Sequence, residues 1–391
     1  MDRFSSAEAL VRALNPQDPV TCLRPAAAHM AARRFLTQFP GETLYAVKTN
    51  PDTVILDALY EAGIGRFDVA SPGEIELIAK RYEDAQICFM HPTKNRAAIS
   101  AAYGDLGINC FAFDSETELD KILSATGNAR KLTLLLRLAV PDHDAVLRLN
   151  GKFGIAPDDA IPLLVRARSH AAHLGVCFHV GSQCLAPTAY GTALRLVDDL
   201  IRKAGVLLDI VDVGGGFPIV YPGQTPPPLE NYFGEIECAL ASLPIGDQVE
   251  IWCEPGRALV AEAGSTIVHV DARKEDRLYI NDGTYGGLFD AGVPGFRFPV
   301  RCLRSDTSAE LIPFSFYGPT CDSLDAMAGP FMLPSDIDEG DHIEIGLTGA
   351  YSAALRGRFN GFDRTERVIL TDAPMTCVEE TNDRSAPLKA G

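Results

Sequence analysis

Eight short apolar runs between residues 44 and 254 restrict the fold of this 391-residue chain more than any other feature. Longer amphipathic segments separate the runs, and this alternation predicts repeated βα units around a parallel sheet. The runs are nearly continuous in apolar residues, as expected for strands that are covered on both faces. They are Leu44 to Lys48, Arg66 to Ala70, Gln86 to Met90, Cys110 to Asp114, Thr133 to Leu138, Gly175 to Val180, Leu208 to Val213 and Val249 to Glu254.

Eight βα units over residues 27–262 match the size of a (β/α)₈ barrel, and a doubly wound open sheet is the alternative. The positions of the polar and glycine-rich clusters favour the barrel, because nearly all of them fall where a predicted strand ends. In barrels this C-terminal end of the strands carries the functional residues.

The pattern changes after about residue 263 to shorter, alternating runs that predict a mostly antiparallel β domain. We expect residues 1–26 to join residues 263–391 in that domain, which makes it discontinuous in sequence. The polar end of the chain, about 379–391, is predicted to be disordered.

The composition excludes several functions. With 35 basic and 52 acidic residues the formal charge is −17, which argues against nucleic acid or an anionic membrane as a partner. The ten cysteines form no C-x-x-C pair, so neither a metal site nor a disulfide framework is indicated. No apolar stretch approaches the ~20 residues of a membrane span. We expect a soluble, cytoplasmic enzyme with reduced thiols.

A lysine follows the first apolar run in the sequence Tyr-Ala-Val-Lys-Thr-Asn, residues 45–50. A lysine whose surroundings activate it can bind an aldehyde cofactor as a Schiff base, although most lysines are solvated surface charges. The glycines Gly214, Gly215 and Gly216, and Gly256 beside Arg257, expose backbone N–H groups that could bind phosphate. A tight turn is the alternative explanation of the three consecutive glycines.

Two further residues suit a flat aromatic cofactor. Glu254 ends a predicted strand and could hydrogen-bond a protonated pyridine nitrogen, or simply pair with Arg257. His179 also ends a strand, three residues before the hydroxyl of Ser182, and is interpreted as a ring that stacks on the cofactor rather than as a core histidine.

Nine motifs in constant order between about residues 40 and 365 resemble the fold-type III pyridoxal-phosphate decarboxylases, and among them the ornithine/lysine decarboxylase family. They are Tyr-Ala-Val-Lys-Thr-Asn (45–50), Phe-Asp-Val-Ala-Ser (67–71), Lys-Phe-Gly (152–154), His-Val-Gly-Ser (179–182), Gly-Gly-Gly-Phe-Pro (214–218), Glu-Pro-Gly-Arg (254–257), Asn-Asp-Gly-Thr-Tyr-Gly (281–286), Gly-Pro-Thr-Cys-Asp (318–322) and Gly-Ala-Tyr (349–351). This resemblance implies an alanine-racemase-like barrel with pyridoxal 5′-phosphate as cofactor.

The resemblance also implies roles for individual residues. Lys48 would hold the aldehyde, His179 would stack on the ring and Glu254 would pair with the ring nitrogen. Asp68, Glu74 and Arg137 would lie close to the cofactor. The phosphate would be held by Ser182, Gly214, Gly215, Gly216, Gly256, Arg257 and Tyr351.

Cys321 and Asp322 reach into the partner subunit's site in the family that this chain resembles. The resemblance therefore implies a homodimer with composite active sites, in which Cys321 protonates the α-carbon after carbon dioxide leaves. A thiol pKa near 8.5 suits such a donor. Lys152 and Asp325 match positions that form a salt bridge across that interface.

The substrate is expected to depend on three residues. Asp322 stands where diaminopimelate decarboxylases carry glutamate, so it favours a substrate that ends in a plain amine. Tyr285 is followed by a shortened segment that ends in Asp290, which is either the ligand of the distal ammonium or a turn residue. His91 stands where a smaller amide is expected.

The leading hypothesis is decarboxylation of L-ornithine to putrescine, with L-lysine as a second substrate that gives cadaverine. Three other substrates stay open, namely arginine, diaminopimelate and a modified ornithine. A racemase is disfavoured because its ring nitrogen typically faces an arginine rather than a glutamate. A non-catalytic binding homologue is the alternative from another functional class, although Lys48, Glu254, Arg257 and Cys321 are all present.

Overall fold

The computed structural model describes residues 1–149, 151–246, 248–304 and 308–377. The predicted disorder at 379–391 therefore lies outside the described residues. The strands within them are β1 Arg3–Phe4, β2 Val20–Leu23, β3 Glu42–Ala46, β4 Arg66–Val69, β5 Gln86–Phe89, β6 Cys110–Phe113, β7 Leu132–Arg137, β8 Ala145–Leu147, β9 Ala171–Cys177, β10 Ser182–Cys184, β11 Ile210–Asp212, β12 Glu250–Cys253, β13 Gly264–Lys274, β14 Arg277–Ile280, β15 Val300–Cys302, β16 Leu311–Tyr317, β17 Ala326–Pro334, β18 His342–Ile345 and β19 Glu366–Leu370.

The helices cover the barrel or connect its strands, and short 3₁₀ turns occur at Val47–Thr49 and Phe289–Ala291 among other places. Within the described ranges, no helix combines the length and the apolar character needed to cross a bilayer. The α-helices are α1 Ala7–Leu14, α2 Pro25–Gln38, α3 Thr53–Glu61, α4 Pro72–Arg81, α5 Arg96–Leu106, α6 Glu116–Ala125, α7 Pro157–Arg168, α8 Thr188–Ala204, α9 Leu229–Leu240 and α10 Arg257–Val260.

Eight parallel strands close into a barrel in the order β11-β12-β3-β4-β5-β6-β7-β9. This arrangement confirms the predicted barrel, and each of the eight apolar runs contains or overlaps one of its strands. A larger apolar core packs between the strands and the surrounding helices, whereas a small cluster that includes Leu135 and Trp252 fills the barrel interior. Both faces of every strand are therefore covered, which explains the continuous apolar runs.

Side-chain caps start the barrel helices directly after the strands. The side chains of Asp52, Ser71, Asn95 and Ser115 each accept a hydrogen bond from a backbone N–H in the first turn of the helix that follows. In α4, the cap of Ser71 is supported by Pro72 at the first helical position. These caps keep the βα connections short, so the residues at the strand ends stay close to the barrel axis.

The second sheet has nine strands and is mostly antiparallel. β13 is its central element and pairs with β2, β14 and β18. Strands β1 and β2 from the start of the chain pair in parallel with β19 near its end. An apolar cluster that includes Phe314, Phe316 and Phe331 forms the core beneath this sheet.

Several strands of this region were not predicted from the sequence. β17 contains Gly329 and Pro330, which are typical of turns rather than strands. β1, β2 and β19 are short and pair with segments more than 200 residues away or at the other end of the chain. Local periodicity carries no information about such distant partners.

Candidate active site at the C-terminal end of the barrel

A cavity of about 510 Å³ opens at the C-terminal ends of the barrel strands. Most of the sequence-predicted residues line it, although they come from strands far apart in the sequence. They are Lys48, Asp68, Arg137, His179, Ser182, Glu254, Arg257, Asp290 and Tyr351. A smaller adjoining recess is lined by Gly216 and Gly256 as well.

A larger cavity, about 990 Å³, lies at the opposite end of the barrel and contains none of the predicted site residues. Arg66, Glu250 and Trp252 are among the residues that line it, and the guanidinium of Arg66 lies 5.1 Å from the centre of the Trp252 ring. The N-terminal face of a barrel contributes to stability rather than to chemistry. The smaller cavity is therefore the candidate active site despite its size.

Lys48 lies in the 3₁₀ turn that follows β3, and its Nζ contacts Asp68 Oδ2 at 2.5 Å. Its side chain is 44% exposed because it opens onto the cavity, whereas Asp68 is buried. Desolvation favours the neutral amine, but the carboxylates of Asp68 and Glu254 outweigh it and raise the pKa of Lys48. The surroundings therefore hold Lys48 as an ammonium rather than activating it by lowering its pKa.

Glu254 lines the cavity, and Asp212 lies beside it in the barrel interior. Asp212 is opposite Trp252 in the pairing of β11 with β12, so Glu254, two residues further on, faces the barrel interior beside it. Burial raises the pKa of Glu254 well above its usual value, and the nearby Asp212 and Asp68 add to the effect. Burial raises the pKa of Asp212 as well.

His179 follows β9 and is held in one tautomer by the backbone. Its Nδ1 accepts a hydrogen bond from the N–H of Gly181 at 3.0 Å, which leaves Nε2 to carry the proton. Burial, with the nearby charges of Arg137 and Lys48, lowers the pKa of His179 to about 3. The ring is therefore neutral, flat and fixed, as a ring that stacks on an aromatic cofactor must be.

Arg257 offers two unused donors towards the cavity. Its Nη1 donates to the hydroxyl of Tyr221 at 2.9 Å, whereas Nε and Nη2 are buried without a hydrogen-bond partner among the described residues. Within the described ranges, the buried hydroxyl of Thr49 has no hydrogen-bond partner either. Buried donors without partners are costly, so the site fits an anionic group such as a phosphate that would accept from them.

The backbone at the glycines of residues 214–216 and at Gly256 leaves no room for side chains. A Cβ on Gly214 would lie 1.9 Å from the carbonyl oxygen of Phe178, and one on Gly215 would lie 2.6 Å from that of Glu254. Gly216 has a φ of +108°, and a Cβ on Gly256 would lie 2.1 Å from the hydroxyl oxygen of Thr49. Bare backbone thus surrounds the recess, which suits the close approach of a phosphate.

Tyr351 and Ser182 complete the wall around this recess. The N–H of Tyr351 donates to the carbonyl oxygen of Thr49 at 3.0 Å, and its ring centre lies 5.0 Å from the guanidinium carbon of Arg257. Ser182 begins β10, which pairs with β8 above the barrel. Both residues line the recess together with Gly216, Gly256 and Arg257.

Asp290 lies in the 3₁₀ turn Phe289–Ala291 and lines the cavity, but it already faces a cation. Its Oδ2 lies 2.9 Å from Nη1 of Arg257, and both side chains are about 95% buried. Burial raises the pKa of Asp290, and the charge of Arg257 opposes that shift. Asp290 is thus a buried counter-ion of Arg257 in this chain.

Cys321, Asp322 and Tyr285 do not line the cavity of their own chain in the part that the structure describes. Cys321 is exposed, and its N–H donates to Asn360 Oδ1 at 3.1 Å. The Tyr285 hydroxyl donates to Asp322 Oδ2 at 2.5 Å. Hydrogen bonds from the Leu324 N–H and from Tyr285 lower the pKa of Asp322, so it remains a carboxylate.

Asp325, the residue predicted to pair with Lys152 across an interface, is buried and has partners in its own chain. It accepts hydrogen bonds from the backbone N–H and hydroxyl groups of Thr284 and Thr320. Lys152 lines the cavity, with Nζ 5.0 Å from the centre of the Phe153 ring.

The structure also shows where Glu74 and His91 lie. Glu74 does not line the cavity; its Oε2 accepts from the Ala70 N–H at 2.7 Å and so supports the start of α4. His91 does line it, with its ring centre 5.1 Å from that of Phe153 in an edge-on arrangement. Burial and the charge of Lys94 lower the pKa of His91.

Sequence reasoning assigned no role to Thr49, Tyr221 or Asp212, which the structure places at the site. Thr49 stands inside the motif of residues 45–50, and Asp212 stands two residues before the three glycines, so its position next to that motif was an available signal. Tyr221 lies in an irregular segment, and only the fold brings it to Arg257.

The comparisons with known proteins agree with this geometry. Residues 26–261 match a family model described as the pyridoxal binding domain of pyridoxal-dependent decarboxylases. A lysine/ornithine decarboxylase of Selenomonas ruminantium is 33% identical over 363 residues, which cover 88% of each chain. Antizyme inhibitor 2 of Xenopus laevis is 34% identical over 359 residues, which cover 85% of this chain and 76% of that protein.

A solved structure of similar fold is the Paramecium bursaria Chlorella virus arginine decarboxylase bound to agmatine. It superimposes with a TM-score of 0.83 at 27% sequence identity, over 92% of this chain and 98% of that one. The fold and the sequence comparisons thus indicate one group of proteins.

Proposed function

Because the chain belongs to the pyridoxal-dependent decarboxylase family, we propose that it removes the carboxyl group of L-ornithine to form putrescine, with L-lysine as a second substrate. It is a pyridoxal-phosphate-dependent decarboxylase of basic amino acids. The relative from Selenomonas ruminantium carries both substrates in its name. The choice among basic amino acids is the part that is proposed.

One observation carries the chemistry on which the proposal builds: Lys48, Glu254 and the Arg257 donors that have no partner among the described residues line a single cavity. An amine, a carboxyl and a phosphate-binding cation are the groups that a pyridoxal phosphate needs at its aldehyde, ring nitrogen and phosphate. When bound there, the cofactor supplies an electron sink for the pair of electrons that carbon dioxide leaves behind.

The protein's own residues would divide the remaining work. Lys48 offers the amine, and Asp68 holds its ammonium form until the proton is removed. Glu254 would accept a hydrogen bond from the ring nitrogen. His179 would cover one face of the ring, because its neutral imidazole brings no charge that would compete for the electrons. Arg257, Thr49 and the bare backbone of Gly214 to Gly216 would fix the phosphate.

Protonation of the product carbon is assigned to Cys321 of a second copy. Cys321 is exposed and stands outside its own cavity, so a neighbouring chain can receive it. Asp322 would enter the same neighbouring site, where its carboxylate would bind the distal ammonium of the substrate. We therefore propose a homodimer in which each site uses Lys48 from one chain and Cys321 from the other.

Asp322 supports a substrate that ends in a plain amine. It is ionised and held by the Tyr285 hydroxyl, so it can accept an ammonium without the cost of forming a new charge. Arginine remains a candidate because the similar viral structure is an arginine decarboxylase bound to agmatine. Diaminopimelate and a modified ornithine remain open as well.

A non-catalytic binding role is the second candidate, and the similarity to antizyme inhibitor 2 is the observation that favours it. Lys48, Glu254, Arg257 and Cys321 all stand in the chain, however, and three of them line one cavity. Residues that retain a complete set of chemical roles indicate an enzyme.

Product analysis tests the proposed substrate. Purified protein loaded with pyridoxal phosphate is incubated separately with L-ornithine, L-lysine, L-arginine and meso-diaminopimelate, and Lys48→Ala serves as the inactive control. Putrescine as the fastest product, with slower cadaverine, is the expected result. Agmatine as the main product would mean that L-arginine rather than L-ornithine is the substrate. If none of the four amino acids gives an amine, the binding role is favoured.

A further inference from the structure

Asp212 and Glu254, at the neighbouring ends of β11 and β12, each have one buried carboxyl oxygen without a hydrogen-bond partner in the part of the chain that the structure describes. Oδ1 of Asp212 accepts a hydrogen bond from the Gly214 N–H at 2.8 Å. Oδ2 of Asp212 and Oε1 of Glu254 are both buried, and neither has a hydrogen-bond donor among the described residues. Two such oxygens need a proton or a cation between them.

The two carboxyl groups face the same space. Asp212 ends β11 and Glu254 directly follows β12, the neighbouring barrel strand. The Glu254 N–H also donates to the Gly214 carbonyl oxygen at 2.9 Å, which ties the two strand ends together. The side chains are close enough for Glu254 to hydrogen-bond Asp212 once one of them is protonated.

No nearby cation takes the place of that proton. Lys48 is paired with Asp68 at 2.5 Å, and Arg137 forms no ion pair with either carboxyl in the described part of the chain. Asp212 is fully buried and Glu254 is 8% exposed. Two like charges in such a dry site cannot both ionise, so the pair keeps one proton.

We propose that Asp212 is a protonated positioning residue, which donates a hydrogen bond from Oδ2 to Glu254 Oε1 and so fixes Glu254 towards the cofactor ring. With the cofactor bound, Asp212 is the better place for the proton, because Glu254 is then the carboxylate that a protonated ring nitrogen requires. The inference rests on the proposed function in one respect, namely that the carboxylate of Glu254 pairs with the ring nitrogen of pyridoxal phosphate.

This assignment predicts that asparagine can replace Asp212. In Asp212→Asn the side-chain oxygen still accepts from the Gly214 N–H, and the amide N–H₂ donates to Glu254 as the protonated carboxyl does. In Asp212→Ala both contacts are lost, and Glu254 is left with a buried oxygen that nothing satisfies. The two variants therefore separate a neutral donor from a charged residue.

The test measures pyridoxal phosphate binding, by equilibrium dialysis and the absorbance of the bound cofactor, together with kcat and KM for L-ornithine. We expect Asp212→Asn to stay within about threefold of the wild type in Kd and kcat. Asp212→Ala should raise Kd and lower kcat by about tenfold or more, with little change in KM, since about 1.4 kcal/mol of lost interaction corresponds to tenfold.

Two results would overturn the proposal. If Asp212→Asn is as impaired as Asp212→Ala, the site needs a negative charge at residue 212, and the proton lies elsewhere. If Asp212→Ala binds the cofactor and turns over like the wild type, Asp212 has no positioning role. Melting temperatures of the cofactor-loaded variants show whether a loss reflects unfolding, and Asp212→Asn tests the proposal even where Asp212→Ala does not fold.

A wrong substrate assignment would give a different result from a wrong role for Asp212. If the wild-type protein forms no amine from any basic amino acid, the substrate assignment is wrong. The cofactor Kd of the two variants, and the absorbance of the bound cofactor, then still decide the role of Asp212.

Discussion

The buried carboxylate of Asp290 stabilises the positive charge of Arg257 in the folded protein. Asp290 is the carboxylate partner of Arg257 at 2.9 Å, and the neutral hydroxyl of Tyr221 accepts a hydrogen bond from the same guanidinium. Removing one partner of a buried ion pair leaves an uncompensated charge, which costs about 3–5 kcal/mol. Asp290→Asn should therefore lower the free energy of unfolding of the cofactor-free protein by several kcal/mol, as measured by urea denaturation.

Asp199→Asn is the matched control for this change, because Asp199 is exposed on α8 away from its first turn and has no hydrogen bond or ion pair among the described contacts. It should leave the unfolding free energy unchanged within about 0.5 kcal/mol. Equal unfolding free energies for Asp290→Asn and the wild type would show that the contact with Arg257 contributes no stability, and Asp290 would then be free for the distal ammonium of the substrate.

The proton on Asp212 also predicts how stability depends on pH. An unfolded aspartate ionises near pH 3.9, whereas burial raises the pKa of Asp212 in the folded chain. Above about pH 4 the folded chain therefore holds a proton that the unfolded chain has lost, so this group makes unfolding easier as the pH rises. Asp212→Asn lacks that group and should gain melting temperature over the wild type, with a gain that grows from about pH 4.5 to pH 7.5.

Melts of the cofactor-free proteins across this range test the sign. A difference between variant and wild type that stays constant with pH would mean that Asp212 and Glu254 do not share an extra proton in the folded state. Asp212 itself raises the pKa of Glu254, so the difference reports the titration of this pair rather than of Asp212 alone.

At the scale of elements, the loop after β11 brings the backbone of Gly216 against the loop after β9, the neighbouring barrel strand. A Cβ on Gly216 would lie 2.5 Å from the Gly181 carbonyl oxygen, and its φ of +108° disfavours any side chain. Gly216→Ala should therefore push the two loops apart and weaken pyridoxal phosphate binding, at a cost of about 1–3 kcal/mol in stability. Equilibrium dialysis and thermal melts measure the two effects.

Gly234 provides the control for a glycine replacement that touches nothing. It is exposed in the middle of α9, and a Cβ there would have no neighbour within 4 Å. Gly234→Ala should stabilise the protein by up to about 1 kcal/mol, because alanine has the higher helix propensity, and should leave cofactor binding unchanged. Unaltered binding in Gly216→Ala would mean that these loops do not hold the phosphate.

The sequence is sufficient to predict where the barrel strands lie, but not how the strands of the second sheet pair. Continuous apolar runs locate all eight strands, because burial on both faces is a local property of the sequence. The pairing of β2 with β13, and the strand that includes Gly329 and Pro330, depend on distant partners and cannot be read from periodicity.

The same division applies to the site. The motifs identify Lys48, His179 and Glu254, because each stands where an apolar run ends. The contact of Arg257 with Asp290 joins residues 33 positions apart through a turn of irregular backbone. Charge compensation of this kind follows from the folded geometry, so the sequence left two roles open for Asp290.

At the scale of the whole molecule, the question is which chain supplies the proton for the product carbon. Lys48 lines the cavity of its own chain, whereas Cys321 is exposed and lies outside that cavity. If the active sites are composite, Lys48→Ala and Cys321→Ala homodimers each lack one essential group in both of their sites. A mixed dimer of the two variants has one site with both defects and one site with neither.

Mixing the two purified variants under conditions that exchange subunits should therefore restore activity. Random exchange makes half of the dimers mixed, each with one intact site, so about one quarter of the wild-type activity is expected. Putrescine formation from L-ornithine measures the recovery, and each variant alone at the same total concentration is the control. If exchange is verified by differently tagged chains and activity does not return, Lys48 and Cys321 act within one chain, and the composite site is wrong.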